Sequence, residues 1–229
     1  MLRNSLSFLC LFFFISCTTQ SIVITPDYKD KTFSDLYLYV VLTDQPVIEN
    51  GDDVYDDLGH GNPDEVYMSF FIHNFPKKVK YATTFKNVYL DKTCNIQLEE
   101  RRESLNDHER ITIKFPAPNQ FITVSDTLID FTLLIQELKI HRKAAESGIW
   151  TGGPTPTGGS SPKLVHSGKF TIWDNSAGQL VSYGKFESEE SFLFAMGQGT
   201  WESGVARLAK DIFYGSPFAS PRIKSRYPR

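Results

Sequence analysis

The chain has 229 residues, of which 41% are hydrophobic and 22% are charged. These are ordinary proportions for a sequence that buries a core, and the length fits one domain or one domain with a small lobe. A formal net charge of −3 is too near neutral to suggest nucleic acid or another polyanion as a partner. The 18 phenylalanines and 10 tyrosines favour a sheet over a helical bundle.

Residues 1–16 have the pattern of a secretory signal peptide. Arg3 supplies a positive charge, an apolar run extends over residues 6–15, and a small serine precedes Cys17. The apolar run is half as long as the roughly 20 residues that a membrane-spanning helix needs. The segment Phe14–Cys17 resembles the lipobox of bacterial lipoproteins. This resemblance implies that the chain is cut before Cys17; a plain secretory signal that is cut elsewhere is the alternative.

In the lipoprotein family the cysteine carries acyl chains that bind the membrane, so Cys17 is the predicted lipidation site. Each buried methylene contributes about 0.8 kcal/mol, and more than one chain gives stable anchoring. Family members with an aspartate after the cysteine tend to stay in the inner membrane. Thr18 stands at that position, which implies the periplasmic face of the outer membrane. Residues 17–31 lack periodicity and predict a flexible lipidated tether. Acylation leaves Cys94 without a disulfide partner, and we expect it to be a buried small hydrophobe.

The first part of the mature chain holds two predicted strands separated by an acidic loop. Residues 35–42 are rich in aromatic and β-branched side chains and predict a central strand. Residues 45–65 hold seven acidic side chains and no Lys or Arg, and their glycines and proline predict a loop. Residues 64–75 fit a helix and a strand equally well. After a break at Pro76, the alternation in residues 79–90 predicts a second strand.

The middle of the chain contains a charged segment and two further strands. Residues 99–109 are strongly charged and predict a solvated turn or a short helix. Residues 110–115 alternate between polar and apolar and predict a strand with one solvated face. Residues 128–142 are the longest extended segment. Their apolar side chains change parity near Gln136, which indicates a β-bulge.

A segment of low complexity precedes the clearest supersecondary pattern. Residues 144–163 are rich in Gly, Pro, Ser and Thr, and they predict a mobile loop because they cannot bury much apolar surface. Residues 164–173 and 180–187 are apolar segments on either side of a glycine-bearing turn. This arrangement predicts a β-hairpin.

The C-terminal region predicts one amphipathic helix and a tail. Residues 200–214 carry an apolar stripe at helical spacing. Thr200 is the predicted N-cap, and Gly215 is the predicted stop. Residues 219–229 are basic and contain prolines, which predicts a disordered tail.

Together these elements predict an α+β fold: a mixed or antiparallel sheet with helices packed on one face, and a C-terminal hairpin followed by an amphipathic helix. The predicted domain spans residues 32–218. Trp173–Asn175, Tyr183–Lys185 and the helix from Trp201 to Gly215–Phe218 resemble the C-terminal half of uncharacterised bacterial envelope lipoproteins. This resemblance implies a fold similar to the small α+β domains of periplasmic assembly factors.

No motif for catalysis, for a metal or for a cofactor occurs in the sequence. The five histidines form no His-x-His or His-Glu-x-x-His pair: His60, His73, His108, His141 and His166. The acidic residues 52–57 resemble calcium ligands by type but lack the alternating spacing of an EF-hand loop, which favours a solvated loop. We therefore predict no catalytic, cofactor-binding or metal-binding residues.

The leading hypothesis is a membrane-anchored bacterial envelope lipoprotein that acts as a non-enzymatic adaptor or assembly factor. Its expected partners are the membrane and an envelope protein, and anchoring would raise the effective concentration of weak contacts. The alternatives are an envelope hydrolase with dispersed catalytic residues and a small-ligand or lipid carrier. A deep pocket with histidines and carboxylates would favour the hydrolase. A continuous apolar cleft would favour the carrier, and an open sheet edge would favour the adaptor.

Overall fold

The computed structural model of the chain describes residues 21–90, 96–118, 120–145, 160–192 and 195–226. The predicted signal peptide, Cys17 and Cys94 lie outside the described residues, as does most of the predicted loop 144–163. The roles predicted for these segments remain predictions.

The described chain forms eleven strands and four α-helices. The strands are β1 (Ser21–Ile24), β2 (Tyr37–Leu42), β3 (Val47–Ile48), β4 (Asn87–Leu90), β5 (Leu98–Ser104), β6 (Arg110–Pro116), β7 (Thr123–Val124), β8 (Thr127–Leu128), β9 (Phe131–Lys143), β10 (Lys163–Asp174) and β11 (Gln179–Ser191). The helices are α1 (Gly51–Leu58), α2 (Pro63–Ala82), α3 (Gln198–Phe213) and α4 (Pro221–Arg226).

Seven strands form one mixed sheet in the order β1-β11-β10-β9-β2-β4, with β3 also paired to β9. Neighbouring strands from β1 to β9 are antiparallel, whereas β2 pairs in parallel with both β9 and β4. The α+β prediction is confirmed, and so is the hairpin, which β10 and β11 form. The bulge is confirmed as well: the β9–β10 register shifts next to Gln136, and Glu137 has a φ of 53°.

Helices α2 and α3 cover one face of this sheet. Each helix buries side chains spaced three or four residues apart, which gives one continuous apolar stripe. The buried residues are Tyr67, Phe71, Phe75 and Val79 from α2, and Trp201, Val205, Leu208 and Ile212 from α3. The predicted C-terminal helix is therefore confirmed, and Gly215, with a φ of 76°, follows its end. The predicted cap is wrong by three residues, because the N-cap is Gly197 and not Thr200.

The β5–β6 hairpin covers the opposite face of the sheet. Alternate residues of β6 are buried in a second apolar cluster, as expected for a strand with one solvated face. The ring of Phe115 stacks on Trp173 with centroids 5.1 Å apart. The Gln136 side-chain oxygen accepts a hydrogen bond from the backbone N–H of Lys114 at 2.8 Å. The prediction of a turn or short helix is wrong for residues 99–104, because Leu98–Ser104 form a strand whose charged side chains mostly face solvent. Residues 105–109 do form the turn that joins β5 to β6.

The acidic segment is not a loop throughout, because α1 occupies Gly51–Leu58 and α2 begins at Pro63. The ambiguous residues 64–75 belong to α2. Pro63 stands in the first turn of α2, and the Asn62 side chain accepts a hydrogen bond from the Asp64 N–H at 3.0 Å. The predicted break at Pro76 is wrong, because α2 continues through it to Ala82. The apolar side chains buried along one face of α2 stabilise the helix on both sides of the proline. The second strand is therefore limited to β4.

Both ends of the described chain are more ordered than predicted. Within the predicted tether, β1 pairs with β11 and Tyr28 is buried. The Tyr28 hydroxyl donates to Asp174 Oδ2 at 2.6 Å, and burial together with this bond raises its pKa to about 12. At the other end, Ser220 and Ile223 are buried and α4 begins at Pro221. The predictions of a flexible 21–31 segment and of disorder over residues 219–226 are therefore wrong. Each end finds apolar partners that are distant in sequence.

Candidate functional site

An open pocket of about 500 Å³ lies at the β4 edge of the sheet. Tyr39 from β2 and both Tyr89 and Leu90 from β4 form one wall of the pocket. Ile96 and the segment Gln120–Ser125 form the rest of the lining. The pocket therefore combines the sheet with a loop that is distant from it in sequence.

The loop of the pocket is held in place by its own small hairpin. Strands β7 and β8 pair through a two-residue turn, in which Ser125 and Asp126 have φ values of 48° and 62°. The N–H of Ile129 donates to the Ile122 carbonyl oxygen at 2.9 Å, and both side chains are buried. The Gln120 side chain accepts from the Gln97 N–H at 2.9 Å and donates to the Gln97 carbonyl oxygen at 2.7 Å. The rim is therefore fixed by buried side chains and hydrogen bonds.

This rim exposes two large apolar side chains. Phe121 is 88% exposed and Leu128 is 58% exposed, one on each arm of the β7–β8 hairpin. Single exposed apolar residues are common on protein surfaces. Phe121 also lines the pocket, so exposed apolar surface lies at the pocket rim, and exposed apolar surface beside a pocket is a candidate interaction site. We call Phe121, Leu128 and the pocket-facing side of β4 the edge site.

Strand β4 ends the sheet within the described part of the chain. The Lys86 N–H donates to the Leu36 carbonyl oxygen of the neighbouring strand segment at 2.9 Å. Tyr37 and Thr43 bond toward β9, so Leu38 bonds toward β4. Leu38 is paired with Val88, which therefore directs its own N–H and C=O groups away from β2. An edge of this kind is a template for pairing with another extended chain. The edge site therefore places such a template next to an apolar rim.

The lining residues determine the chemistry of the edge site. The described residues that line the pocket include no histidine and no carboxylate. Two tyrosines, Tyr37 and Tyr89, stack beside it with ring centroids 6.4 Å apart. The pocket therefore offers a ligand aromatic and apolar side chains together with the polar side chains of Gln120, Thr123 and Ser125.

Three of the five histidines lie apart from the others, whereas His141 on β9 is close to His166 on the neighbouring strand β10. His73 contacts Lys77, the ring of His60 packs at a tilt against Tyr55, and His108 lies exposed in a turn. Within the described ranges, no three His, Cys, Asp or Glu side chains are grouped so that they could hold a metal ion.

His166 is fully buried between the sheet and the helices. Neither of its ring nitrogens has a hydrogen-bond partner among the described residues, and burial lowers its pKa to about 3. The Tyr67 ring lies 6.3 Å from the imidazole, and a Cβ on Gly204 would lie 2.9 Å from its Cε1 atom. His166 is therefore neutral and shielded by close packing. Its position in β10 is the only sequence signal that pointed to burial.

The acidic residues 52–57 belong to α1, and two of them bind side chains of neighbouring elements. Burial raises the pKa of Asp53, although Arg142 lies 3.6 Å away. Asp57 accepts a hydrogen bond from the indole N–H of Trp201 at 2.9 Å. These contacts attach α1 to β9 and α3.

Strand β1 is the part of the described chain that lies nearest in sequence to Cys17, the predicted anchor. Ser21, the first described residue, is four positions beyond Cys17. None of the helices in the described segments is long and apolar enough to span a membrane.

No protein-family model matches this chain, and no curated protein matches its sequence. Among solved structures, the PelC dodecamer from Paraburkholderia phytofirmans is similar over 87% of this chain and 98% of that chain, with 10% identity and a TM-score of 0.39. The protein XCC0632 from Xanthomonas campestris, of family DUF330, is similar over 82% of this chain and 86% of that chain, with 11% identity and a TM-score of 0.33. At these TM-scores neither likeness assigns a function to this chain.

Proposed function

We propose that this chain is a lipid-anchored protein of the bacterial cell envelope that acts as a non-enzymatic adaptor or assembly factor. Acyl chains on Cys17 hold it at the periplasmic face of the outer membrane. The lipobox-like segment Phe14–Cys17 supports this anchor. Anchoring concentrates the protein at the membrane, so a weak contact with an envelope protein suffices.

The partner binds at the edge site as an extended segment. Its backbone pairs with the outward groups of β4, and one of its apolar side chains packs against Phe121 in the pocket. The observation that carries this proposal is the 88% exposure of Phe121 on a rigid rim beside the last strand of the sheet. Solvent exposure of so large a ring is unfavourable, and a partner that covers it gains about 25 cal/mol per Å² of apolar surface removed from water.

The edge site suits an adaptor better than the two alternatives. A hydrolase needs an acid or a base within reach of its substrate, and the lining offers neither among its described residues. A carrier encloses most of its ligand in a cleft, whereas this pocket is open along the strand edge. Tyrosine rings and backbone groups fit a peptide that adds to a sheet.

The anchor is tested by metabolic labelling with a fatty-acid probe in the native host. We expect the label on the wild type and on a Cys94→Ala control, and no label on Cys17→Ala. Equal labelling of all three proteins would contradict acylation at Cys17.

The edge site is tested by placing a photo-crosslinking amino acid at position 121 or at position 81 in intact cells. Tyr81 on α2 is the matched control, because it is an aromatic residue that is 52% exposed. We expect position 121 alone to capture a discrete protein, and the captured peptide to be an extended segment. The same products at both positions would contradict an adaptor site at this edge, and capture of lipid or a small molecule would favour the carrier.

A further inference from the structure

Strand β1 is a fixed part of the sheet that begins close to the proposed anchor. Ser21 is paired with Lys185 of β11 in an antiparallel register. The Thr25 N–H donates to the Val181 carbonyl oxygen at 2.9 Å. The approach is so close that a Cβ on Gly184 would lie 2.2 Å from the Ser21 carbonyl oxygen. The position of Ser21 relative to the sheet is therefore set by packing and hydrogen bonds.

The chain between Cys17 and Ser21 is short compared with the size of the protein. Its four Cα–Cα steps span at most about 14 Å when fully extended. The acyl chains of a lipidated Cys17 lie in the hydrocarbon core, and the headgroup layer above that core is roughly 6 Å thick. Ser21 therefore rises no more than about 8 Å above the headgroup surface.

Thick layers cover both faces of the sheet next to β1. Helix α3 packs on β10 and β11, and a helix with its side chains is about 10 Å wide. On the other face, the Tyr183 hydroxyl donates to the Ser104 carbonyl oxygen at 2.7 Å, and Lys185 pairs with Glu109 of the β5–β6 hairpin. Packed sheets are separated by about 10 Å. A molecule lying flat on either layer would hold Ser21 beyond the reach of the tether.

We propose that the lipidated protein stands on the β1–β11 edge of its sheet, with residues 186–191 of β11 turned toward the lipid headgroups. This inference rests on the proposed acylation of Cys17. Because β1 is antiparallel to β11, the chain that enters Ser21 comes from the direction of residues 186–191. The cations at this end are already paired, since Lys143 and Lys163 both contact Glu189. The short tether therefore sets the orientation, and a basic patch does not.

In this orientation the edge site lies on the side of the protein that is remote from the membrane. Strand β4 is five strand positions from β1 in the sheet, which corresponds to about 24 Å. Phe121 and the pocket therefore face the periplasm, where an envelope partner can reach them. A segment of a partner can pair with β4 without entering the headgroup layer.

The test uses the acylated protein in a Cys94→Ser background, reconstituted in vesicles of phosphatidylethanolamine and phosphatidylglycerol. Glu187→Cys and Phe121→Cys, both at exposed positions, carry the same fluorophore, and lipids with a spin-labelled headgroup act as the quencher. We expect quenching at position 187 to be at least several-fold greater than at position 121. A Gly/Ser insert of about ten residues before Ser21 adds roughly 18 Å of reach. It should reduce quenching at 187 toward the value at 121 while the protein still floats with the vesicles.

Two kinds of failure are distinguishable. If the protein floats with the vesicles but quenching at 187 and 121 is equal, or the insert changes nothing, the orientation is wrong and the anchor stands. If Cys17 carries no fatty acid, or the protein does not float, the proposed anchor fails and the orientation fails with it.

Discussion

The buried imidazole of His166 makes the stability of this protein depend on pH below neutrality. Burial lowers its pKa from the ordinary 6.5 to about 3, and the nearby His141 contributes in the same direction. In the unfolded chain the ring titrates near its ordinary pKa. Between these two pKa values, the imidazole of His166 is protonated in the unfolded state and neutral in the folded state. The stability associated with the neutral ring is complete above pH 6.5 and falls as the pH drops toward about 3.

The size of this effect follows from the width of the window. Each pH unit inside it lowers the free energy of unfolding by about 1.4 kcal/mol. Between pH 6.5 and pH 4.5 the loss is therefore roughly 2–3 kcal/mol, and it reaches about 5 kcal/mol near pH 3. This is a large part of the roughly 5–15 kcal/mol that stabilises an ordinary domain.

The assay is urea unfolding of the wild type, His166→Leu and His108→Leu between about pH 7 and pH 4.5. We expect the free energy of unfolding of His166→Leu to fall less steeply, by about 1.4 kcal/mol per pH unit. At neutral pH this variant should be at least as stable as the wild type, because leucine removes two buried nitrogens that lack partners. His108 is exposed, so its variant should follow the wild type. The carboxylates are the same in all three proteins, so their effect on the free energy of unfolding cancels when the pH dependences are compared. Identical slopes for the wild type and His166→Leu would refute the reasoning.

Three further substitutions test the packing around β1 and the edge site. Gly184→Ala brings a Cβ to 2.2 Å from the Ser21 carbonyl oxygen. We expect the free energy of unfolding to fall by about 1–3 kcal/mol and the amides of β1 to exchange faster. The control Gly199→Ala, with nothing within 4 Å of its Cβ, should show neither change. Tyr28→Phe removes two side-chain hydrogen bonds, of 2.6 and 2.8 Å, and should cost about 1–3 kcal/mol in urea unfolding; an unchanged midpoint would show that these bonds add nothing. Phe121→Ala should alter stability by less than about 0.5 kcal/mol yet reduce recovery of the crosslinked partner by at least several-fold, and full recovery would exclude the ring from the interface.

The spacing of apolar side chains predicts those strands and helices that are buried in the same way along their whole length. The composition of residues 35–42 and the alternation in residues 110–115 and 128–142 predict three of these strands, and the turn predicts the hairpin. Strands β2 and β9 bury side chains in both apolar clusters, on the two faces of the sheet. Residues 64–75 were ambiguous because their aromatic side chains satisfy both periods. Tertiary packing decided in favour of the helix, since the stripe of α2 has α3 and the sheet to cover it. Strand β5 was missed because its charged side chains mostly face solvent and leave little apolar signal.

The edge site could not be predicted from the sequence. Its lining comes from β2, β4, Ile96 and residues 120–125, which become neighbours only through the parallel pairing of β4 and the docking of the β7–β8 hairpin. Nothing in the local pattern distinguishes the exposed Phe121 from the buried phenylalanines, since exposure depends on what packs against a residue. The buried state of His166 likewise depends on Gly204 and Tyr67, which are distant in sequence.

Spacings within short segments are enough to predict the α+β class, the hairpin, the bulge and the C-terminal helix. The sequence by itself also supplies the lipobox-like segment at Cys17, which is a local signal whose acylation remains to be tested. Tertiary contacts determine that Ser21–Ile24 pair with β11, that both faces of the sheet are covered, and which edge lies beside the exposed ring of Phe121. These properties depend on contacts between distant segments, and no local period encodes them.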